Sequence, residues 1–450
     1  MLSRILILLF LLIIIPDTYI YVMYVKRWTD KWSLRLISFI PSAILLIYLI
    51  TVLTADDMRA AHQPMIGTFV ILFFLITVPK MLFTLFDAIG LAGRRLCNRL
   101  EASAKNSIRD VLDDANDERN AHDGNKVEDN DDIKSDDNSR GNKVHRYIRL
   151  LAMALAMMSV FIILYGYIWG RSNYKVYTHE VYFKNLPDAF DGYRILQFSD
   201  LHVGTFDDGH RDDVSTIVSL INSQKCDAVV FTGDIVNYES VELEGYEQIL
   251  SKIKAPDGVF SIMGNHDYDM YLKFDSEKIK NDDIEKIKRL ERSYGWNLLL
   301  NENKIIRRGN DSIAIAGTEN DGLPPWPALG DLNKASEGLD GIMRNSNGTA
   351  EKNAAEDHTF SILLTHDPTF WRRSILPDSR FDLTLAGHTH AGQFKIFGWS
   401  PIQFKYDEWS GFYEEGQQLL NVNDGIGQIL LPFRFGAWPA LDVFTLRKEK

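Results

Sequence analysis

The sequence predicts an α/β domain over residues 171–450, preceded by an N-terminal four-helix transmembrane region. Three observations lead to this division. Long apolar stretches fill much of 1–92 and of 148–170. Short apolar runs alternate with helix-like stretches after residue 171. The chain of 450 residues is also longer than one compact domain usually needs.

Four apolar stretches are long enough to span a bilayer, which takes about 20 residues. They run over 4–24, 34–53, 66–89 and 148–169. Their apolar residues leave no polar face, which argues against buried helices of a soluble domain. A signal peptide is disfavoured, because Pro16 and Asp17 interrupt the first stretch and no small-residue cleavage site follows. We therefore predict three transmembrane helices in 1–92 and a fourth in 148–170.

The basic residues of the loops predict the orientation of these helices, because short cytoplasmic loops carry an excess of Lys and Arg. The first loop contains Lys26, Arg27, Lys31 and Arg35, and the third begins and ends with basic residues. The second loop has Arg59 beside two aspartates. We expect the first and third loops in the cytoplasm and both termini outside. The protein would then be a multi-pass membrane protein whose C-terminal α/β domain is extracytoplasmic, and one span fewer would reverse this orientation.

Residues 93–147 form an acidic segment between the third and fourth predicted helices. Between Glu101 and Arg146 there are 13 Asp and Glu residues against 8 Lys and Arg residues. Such a segment buries too little apolar surface to fold alone, so we predict a disordered cytoplasmic linker. A shorter polar insert at 328–358 is predicted to be a surface loop.

Charge and cysteine content exclude several kinds of partner and site. The net charge of -12 argues against nucleic acid, since binding to its backbone needs clustered Lys and Arg. With only Cys97 and Cys226, the chain cannot build a disulfide framework or a cysteine-based zinc site. Cys226 precedes a predicted buried strand, where it fits as a small core residue.

From residue 193 onward, apolar strands repeatedly end in His, Asp or Asn. The motifs are Ser-Asp-Leu-His at 199–202, Thr-Gly-Asp at 232–234, Gly-Asn-His-Asp at 264–267, Thr-His-Asp at 365–367 and Gly-His-Thr-His at 387–390. Continuous apolar strands suit a sheet that is covered on both faces. Helix-like stretches at 211–223, 240–253 and 277–294 separate several of these strands. Because α/β folds gather their sites at the carboxyl ends of strands, we expect the polar side chains to meet.

The side chains at these strand ends are carboxylates, imidazoles and one carboxamide, a mixture that suits Mn, Fe or Zn rather than calcium. Asp200 and His202 leave the same side of an extended segment, since residues two apart share a face. His388 and His390 repeat this spacing. A lone Asp-x-His or Gly-Asp is common in simple turns. Five such elements in order, each after an apolar strand, predict a metal site.

In these motifs the sequence resembles the calcineurin-like metallophosphoesterases over roughly 176–447. The segments GHTHAGQ, SGFYEEGQQLLNVNDGIG and PFRFGAWPALDVFTL look like the membrane-associated YkuE/YaeI-like subgroup, in which Gly often stands where this chain has Ala391. The resemblance implies a calcineurin-like phosphoesterase β-sandwich flanked by helices. It does not extend to the predicted spans or to the acidic linker.

The resemblance also implies a role for each polar residue. Two divalent metal ions would be bound, the first by Asp200, His202 and His390 and the second by Asn265, His366 and His388. Asp234 would bridge both ions. His266 would be a catalytic residue beside the substrate, and Asp267 would orient it. Arg434, in the C-terminal tail, is equally compatible with a contact to a substrate phosphate and with a structural ion pair.

Together these features predict a membrane-anchored enzyme that hydrolyses a phosphate ester, diester or pyrophosphate. The membrane region favours a phosphoester substrate that is lipid-linked or belongs to the cell envelope. The resemblance adds a UDP-2,3-diacylglucosamine-type pyrophosphate, whose hydrolysis would need a cytoplasmic site and so conflicts with the predicted orientation. Two alternatives remain open. The domain could be a non-catalytic phosphoesterase-fold binding module, or it could regulate a transporting membrane region.

Overall fold

The computed structural model describes residues 2–54, 63–120, 140–206, 210–339, 359–378 and 380–449. The chain divides into two compact units. The helical unit comprises Met1–Thr51 and Leu72–Leu164, and the α/β unit comprises Val52–Ile71 and Tyr165–Lys450. The functional residues predicted from the sequence all fall in the α/β unit.

In the described part of the chain, six α-helices precede the first strand. They are α1 (Leu2–Ile20), α2 (Lys26–Trp28), α3 (Trp32–Ile37), α4 (Ile40–Thr54), α5 (Gln63–Asn120) and α6 (Arg140–Ile168). A π-helical turn, Tyr21–Val25, joins α1 to α2. Leu, Ile and Phe dominate α1, α4 and the first part of α5, where they favour helix and leave the surface apolar.

Three helical segments of the described chain are long and apolar enough to cross a membrane: Ile7–Trp28, Pro64–Asp110 and Gly141–Ser172. The predicted second span, 34–53, is instead divided between α3 and α4, and its apolar helix covers only Ile40–Val52. A helix of that length extends about 20 Å, whereas the hydrocarbon core is about 30 Å thick. The predicted count of four spanning helices is therefore not confirmed.

A lysine inside the helical unit is paired with polar groups of two other helices. Lys80 donates hydrogen bonds to Asp17, at 2.7 Å, and to the Ser42 hydroxyl, at 2.9 Å. Pairing of this kind is how ionisable side chains are tolerated among apolar helices, where an isolated charge would be costly.

The predicted disordered linker is helical at both of its described ends. Helix α5 continues through the acidic residues to Asn120, and α6 already begins at Arg140. The reason is that Ala, Glu, Arg, Lys and Leu in this part of the sequence favour helix once an upstream helix has nucleated it. Residues 121–139 lie outside the described residues, as do 340–358 of the predicted loop at 328–358.

The described residues of the α/β unit form twelve strands in two sheets. The strands are β1 (Lys175–Phe183), β2 (Arg194–Phe198), β3 (Ala228–Phe231), β4 (Val259–Ser261), β5 (Asn297–Leu298), β6 (Glu302–Arg308), β7 (Asp311–Gly317), β8 (Ser361–Leu364), β9 (Leu383–Ala386), β10 (Gly411–Glu415), β11 (Gln418–Val422) and β12 (Ala440–Lys448). One sheet has the order β1-β12-β2-β3-β4-β5 and the other β10-β11-β9-β8-β7-β6. The strands β2, β3, β4 and β5 run parallel, as do β7, β8, β9 and β11.

The two sheets pack face to face through a shared apolar core. It includes Ile195, Val230 and Phe260 of the first sheet and Ile362 and Leu383 of the second. Burying each such side chain stabilises the fold by about 1.5–3 kcal/mol. The predicted β-sandwich is thus present, and helices cover its outer faces.

Helices α7 (Arg211–Ser223), α8 (Glu247–Leu250) and α9 (Glu277–Ser293) pack on the first sheet, and α10 (Leu332–Ala335) lies on the second. The helices predicted at 211–223 and 277–294 are present. The stretch 240–253 forms a 3₁₀ turn, Ser240–Leu243, followed by α8. In α9 the Ser276 side chain accepts a hydrogen bond from the Ile279 N–H and starts the helix, and Ile284 and Ile287 face the core.

Candidate metal centre

The predicted ligands all follow the carboxyl ends of parallel strands. Asp200 and His202 follow β2, Asp234 follows β3 and Asn265 follows β4 in one sheet. His366 follows β8, and the pair His388 and His390 follows β9 in the other. Because parallel neighbours end at the same edge of a sheet, the fold brings the seven residues to one place.

The chain turns sharply where these ligands lie. Asp200, His202, Asp234, His388 and His390 all have positive φ, between 45° and 75°. For residues other than glycine this conformation costs about 1–3 kcal/mol each. Because the backbone is strained at five of the seven predicted ligands, these turns serve to place the side chains rather than to stabilise the fold.

The first group of donor atoms surrounds the His390 ring. Nε2 of His390 lies 3.3 Å from Oδ1 of Asp200 and 3.2 Å from Nε2 of His202. Oδ2 of Asp234 lies 3.7 Å from Nε2 of His202. Donors that bind one ion at about 2.0–2.2 Å are themselves about 3–3.5 Å apart, so this spacing fits a metal.

The second group surrounds the His366 ring. Nε2 of His366 lies 3.1 Å from Oδ2 of Asp234 and 3.1 Å from Oδ1 of Asn265. Nδ1 of His388 lies 3.3 Å from the same His366 nitrogen. The same oxygen of Asp234 therefore faces both groups, as a bridging carboxylate would.

The other ring nitrogens of these histidines are held by neighbouring polar groups. Nδ1 of His202 donates to the carbonyl oxygen of Val236, at 3.0 Å, and Nδ1 of His366 donates to that of Thr232, at 2.7 Å. In a neutral ring, each contact leaves Nε2 without a proton and directed at the donor cluster. This tautomer is the one that a metal-binding histidine needs.

The electrostatics of the cluster also favour a cation. Burial raises the pKa of Asp200 to about 7. Burial disfavours the protonated form of His366, yet the adjacent Asp234 carboxylate outweighs this effect and its pKa rises to about 10. Without a metal, a proton on His366 supplies positive charge beside the buried carboxylates. Divalent ions at the same place would supply it more fully, so the residues present fit a metal centre.

Two glycines keep the backbone close to the donor atoms. A Cβ atom at Gly387 would lie 1.8 Å from the Ser199 hydroxyl and 2.6 Å from Oδ2 of Asp200. A Cβ atom at Gly264 would lie 2.2 Å from Oδ1 of Asp234. Any side chain at either position would displace a predicted ligand.

His266 lies beside these two groups, and with His202 and Asp234 it makes a third set of residues that could hold an ion. A nitrogen of its ring is within 4.8 Å of donor atoms of His202 and Asp234. Its Nδ1 donates to the carbonyl oxygen of Asn237, at 2.5 Å, and Tyr271 stacks on the ring with centroids 4.2 Å apart. Burial lowers its pKa. The ring is thus held in place by Asn237 and Tyr271.

The prediction that Asp267 orients His266 does not agree with the structure. The Asp267 carboxylate accepts hydrogen bonds from four backbone N–H groups, those of Asp234, Ile235, Val236 and Gly264, at 2.8 to 3.2 Å. The ring of His266 is held by Asn237 instead. Sequence adjacency was misleading here, because the 3₁₀ turn His266–Tyr268 directs successive side chains to different sides.

Arg434 does not face a substrate. Its side chain is completely buried and donates to the carbonyl oxygens of Asp424, Gly427 and Ala437. One guanidinium nitrogen also lies 3.1 Å from Nδ1 of His390. Arg434 therefore ties the C-terminal loop to a predicted ligand, and neither a contact to a substrate phosphate nor a structural ion pair describes it.

Two tyrosines beside the cluster were not found from the sequence. The Tyr406 hydroxyl lies 2.8 Å from Nε2 of His388, and the Tyr271 hydroxyl accepts from the Asn265 side chain at 2.7 Å. Neither residue belongs to a motif, and both reach the cluster from loops. Only the three-dimensional arrangement reveals them.

Two family models match this chain. One is described as calcineurin-like phosphoesterase and matches residues 193–392, and the other as probable calcineurin-like phosphoesterase, transmembrane domain, and matches residues 3–171. The first of these ranges contains all seven predicted ligands together with His266 and Asp267. The second contains the apolar helices.

Relatives in two kingdoms align with most of the chain. The metallophosphoesterase YkuE of Bacillus subtilis is 29% identical over 290 residues, which are 63% of this chain and 90% of that protein. A zebrafish (Danio rerio) transmembrane protein with metallophosphoesterase domain is 27% identical over 67% of this chain, but the match spans only 63% of its length. Among solved structures, TT1561 of Thermus thermophilus matches with a TM-score of 0.31 and 13% identity, over 52% of this chain and 90% of that chain.

Proposed function

Because the chain belongs to the calcineurin-like metallophosphoesterases, we propose that it is a membrane-anchored phosphoesterase that uses two divalent metal ions. One observation carries the proposal: the two groups of donor atoms share a single oxygen of Asp234, with Nε2 of His202 and Nε2 of His366 on either side. A cluster of this composition suits Mn, Fe or Zn. All seven predicted ligands are present in the cluster. A domain that served only as a binding module would not need every one of them.

The residues of the site have distinct tasks in hydrolysis. Two ions held there would supply Lewis acidity and a water of lowered pKa for in-line attack on phosphorus. Asp200, His202 and His390 would bind one ion, Asn265, His366 and His388 the other, and Asp234 both. His266 would transfer a proton to the departing oxygen from Nε2, while Asn237 holds its Nδ1. Proton transfer by a positioned side chain contributes about 10²–10⁴-fold to the rate.

A cleft beside the site supports a lipid-linked substrate. It is lined by Ile66 and Gly67 of α5, Tyr167 of α6, and Thr205 and Asn237 near the cluster, together with Leu430, Leu431 and Pro432. All of these residues belong to the α/β unit. Helices α5 and α6 contribute the ends of two candidate membrane-crossing segments to this cleft. A phosphoester carrying acyl chains could therefore reach His266 with its apolar part still near the bilayer.

We place the catalytic domain on the extracytoplasmic face. Both basic loops can lie in the cytoplasm only if the chain crosses the membrane an even number of times between them, which requires Ile40–Thr54 to cross as well. Within the helical unit, Arg27 of the first loop lines the same cavity as Arg94 and Arg146 of the third. This juxtaposition supports a common side for the two loops. A lipid or cell-envelope phosphate ester, diester or pyrophosphate then fits better than a cytoplasmic nucleotide-sugar lipid.

The test is hydrolysis of bis-p-nitrophenyl phosphate by the full-length protein in detergent. Activity should disappear on chelation and return with Mn, Fe or Zn. Asp234→Ala should lose both bound ions and all turnover, with Asp212→Asn on the exposed face of α7 as the charge-matched control. The metal content of each variant is measured by mass spectrometry.

The outcomes separate the proposal from its alternatives. Metal-dependent turnover that disappears in Asp234→Ala supports the enzyme and justifies a screen of acylated phosphoesters. Bound ions without turnover on any phosphoester would favour a regulatory or binding role for the domain. Full activity of Asp234→Ala would refute the bridging carboxylate.

A further inference from the structure

A large cationic cavity lies at one end of the helical unit, far along the chain from the predicted ligands. We call it the basic cavity. Its volume is about 900 Å³, and Arg27, Arg94, Lys143, Arg146 and Arg149 line it. These residues come from α2, the middle of α5 and the start of α6. Their positive charge predicts the orientation of the helices, and the proposed reaction does not use them.

The described residues that line the cavity include no carboxylate. None of the five basic side chains forms an ion pair with a described residue, although other basic residues of the chain do so repeatedly. Five like charges around one space repel one another. An arrangement of this kind is stable when an anion occupies the space between them, and Arg side chains bind phosphate oxygens in pairs.

Among the described residues, Asp87 is a carboxylate that contacts the cavity wall, and other donors already occupy it. Asp87 is fully buried and accepts hydrogen bonds from the hydroxyls of Tyr19 and Tyr24. His145, which lines the cavity, lies with Nε2 3.1 Å from Oδ1 of Asp87. Asp87 thus fixes His145 and Tyr24 on the cavity wall and leaves the positive charge of the arginines uncompensated.

The rim of the cavity has the character of a membrane surface. Trp28 and Tyr147 line it, and 78% and 70% of their side-chain surfaces are exposed. Leu150, on the same side of α6, is 52% exposed. Exposed Trp and Tyr at the ends of apolar helices mark the level of the lipid headgroups. A ligand at this depth is reached from the bilayer.

We propose that the basic cavity binds the phosphate-bearing headgroup of an anionic membrane lipid. Basic pockets between membrane helices on the cytoplasmic side are suited to such headgroups. The acyl chains would lie along the exposed apolar surface of α6, and the phosphate would contact Arg94 and Arg146. The site does not depend on the proposed hydrolysis, and its loss would leave the metal cluster intact.

The test measures binding of short-chain phosphatidylglycerol to the full-length protein in detergent by titration calorimetry. Short-chain phosphatidylcholine and inorganic phosphate are the comparison probes. The variant Arg94→Gln/Arg146→Gln should bind phosphatidylglycerol about thirtyfold more weakly, since each Lys or Arg beside an anionic headgroup contributes about fivefold. The control Arg99→Gln/Lys105→Gln removes two charges outside the cavity and should bind as the unaltered protein does. Both variants should hydrolyse bis-p-nitrophenyl phosphate at the unaltered rate and elute from a gel-filtration column at the unaltered volume. These two results would show that the variants fold.

Three results would overturn the proposal. Equal affinity for phosphatidylcholine and phosphatidylglycerol would show that the anionic headgroup is not recognised. If inorganic phosphate binds as tightly as the lipid, and if the cavity variant loses this binding, then the ligand is a soluble phosphate compound. If phosphatidylglycerol binds only after the acidic residues of 113–137 are neutralised, then that segment of the chain, and not a lipid, is the ligand of the cavity.

Discussion

The Asp267 carboxylate accepts a hydrogen bond from the backbone N–H of Asp234 at 2.8 Å, so one acidic side chain fixes the position of another. Three further N–H groups, from Ile235, Val236 and Gly264, bind the same carboxylate. The loops that follow β3 and β4 are thereby joined. Asp267 is a positioning residue for the metal centre, and it acts through the backbone rather than through His266.

Asp267→Asn should therefore lose metal and stability together, and not turnover alone. An amide offers one acceptor oxygen, and its NH₂ group would face N–H donors. Each hydrogen bond to a charged group contributes about 1.5–3 kcal/mol, so we expect a loss of at least 3 kcal/mol from the free energy of unfolding. The readouts are denaturant unfolding and metal content, with Asp212→Asn as the control. A variant with full metal content and normal stability but low turnover would restore the role first inferred from the sequence.

His266→Gln should keep both ions and lose about 10²–10⁴ in kcat, the usual contribution of a positioned acid or base. The loss should depend on the leaving group. A p-nitrophenolate departs with little need of a proton, whereas an alkoxide requires one, so an alkyl phosphodiester should be affected more strongly. If metal content falls in step with activity, His266 is a ligand. A loss of equal size for both leaving groups would show that it does not protonate the departing oxygen.

The sequence was informative wherever a strand and its ligand are adjacent in the chain. The strands before Asp200, Asp234, His366 and His388 are continuous apolar runs, and each ends at a polar residue that the fold carries to one sheet edge. Contacts between distant loops left no such signal. Tyr406 reaches His388, and Arg434 reaches His390, through turns whose geometry depends on packing. The second predicted span is not confirmed, because the helix there is interrupted between α3 and α4.

Gly387→Ala should weaken metal binding at the Asp200 group by about 10–100-fold, the usual effect of disturbing the support of a ligand. The added methyl group would lie 2.6 Å from Oδ2 of Asp200 and 1.8 Å from the Ser199 hydroxyl, so one of the two must move. Gly93→Ala is the matched control, because a Cβ atom there has no neighbour within 4 Å. Competition with a metal-sensitive dye measures the affinity. Unchanged affinity in Gly387→Ala would mean that the loop after β2 adjusts freely.

Stability should fall with rising pH because of Asp269. Burial and the nearby Asp283 carboxylate raise its pKa from 3.8 to about 8. Below pH 3.8 the group is protonated in the folded and the unfolded chain alike, so its contribution to stability is fully present. As pH rises toward 8, the unfolded chain releases this proton and the folded chain retains it, so the contribution is progressively lost.

Asp269→Asn should remove this pH dependence, since an amide does not titrate and Asn accepts the positive φ of 53° at this position. Melting temperatures of the unaltered protein and the variant, measured by tryptophan fluorescence from about pH 5 to pH 8.5, make the comparison. The difference in melting temperature between the unaltered protein and the variant should change steadily as pH rises, in the direction of lower relative stability of the unaltered protein. Parallel curves across this range would contradict the assignment.

The pairing of β1 with β12 has a consequence for biosynthesis. Lys175 to Phe183 pair in parallel with Ala440 to Lys448, and β12 lies between β1 and β2. Strands about 265 residues apart in the chain are thus neighbours in one sheet. During translation the ribosome must make nearly the whole domain before this sheet can close, and closure over so long a separation is slow. Until then the edges of β1 and β2 are open to other chains, which makes the nascent domain a natural client for chaperones.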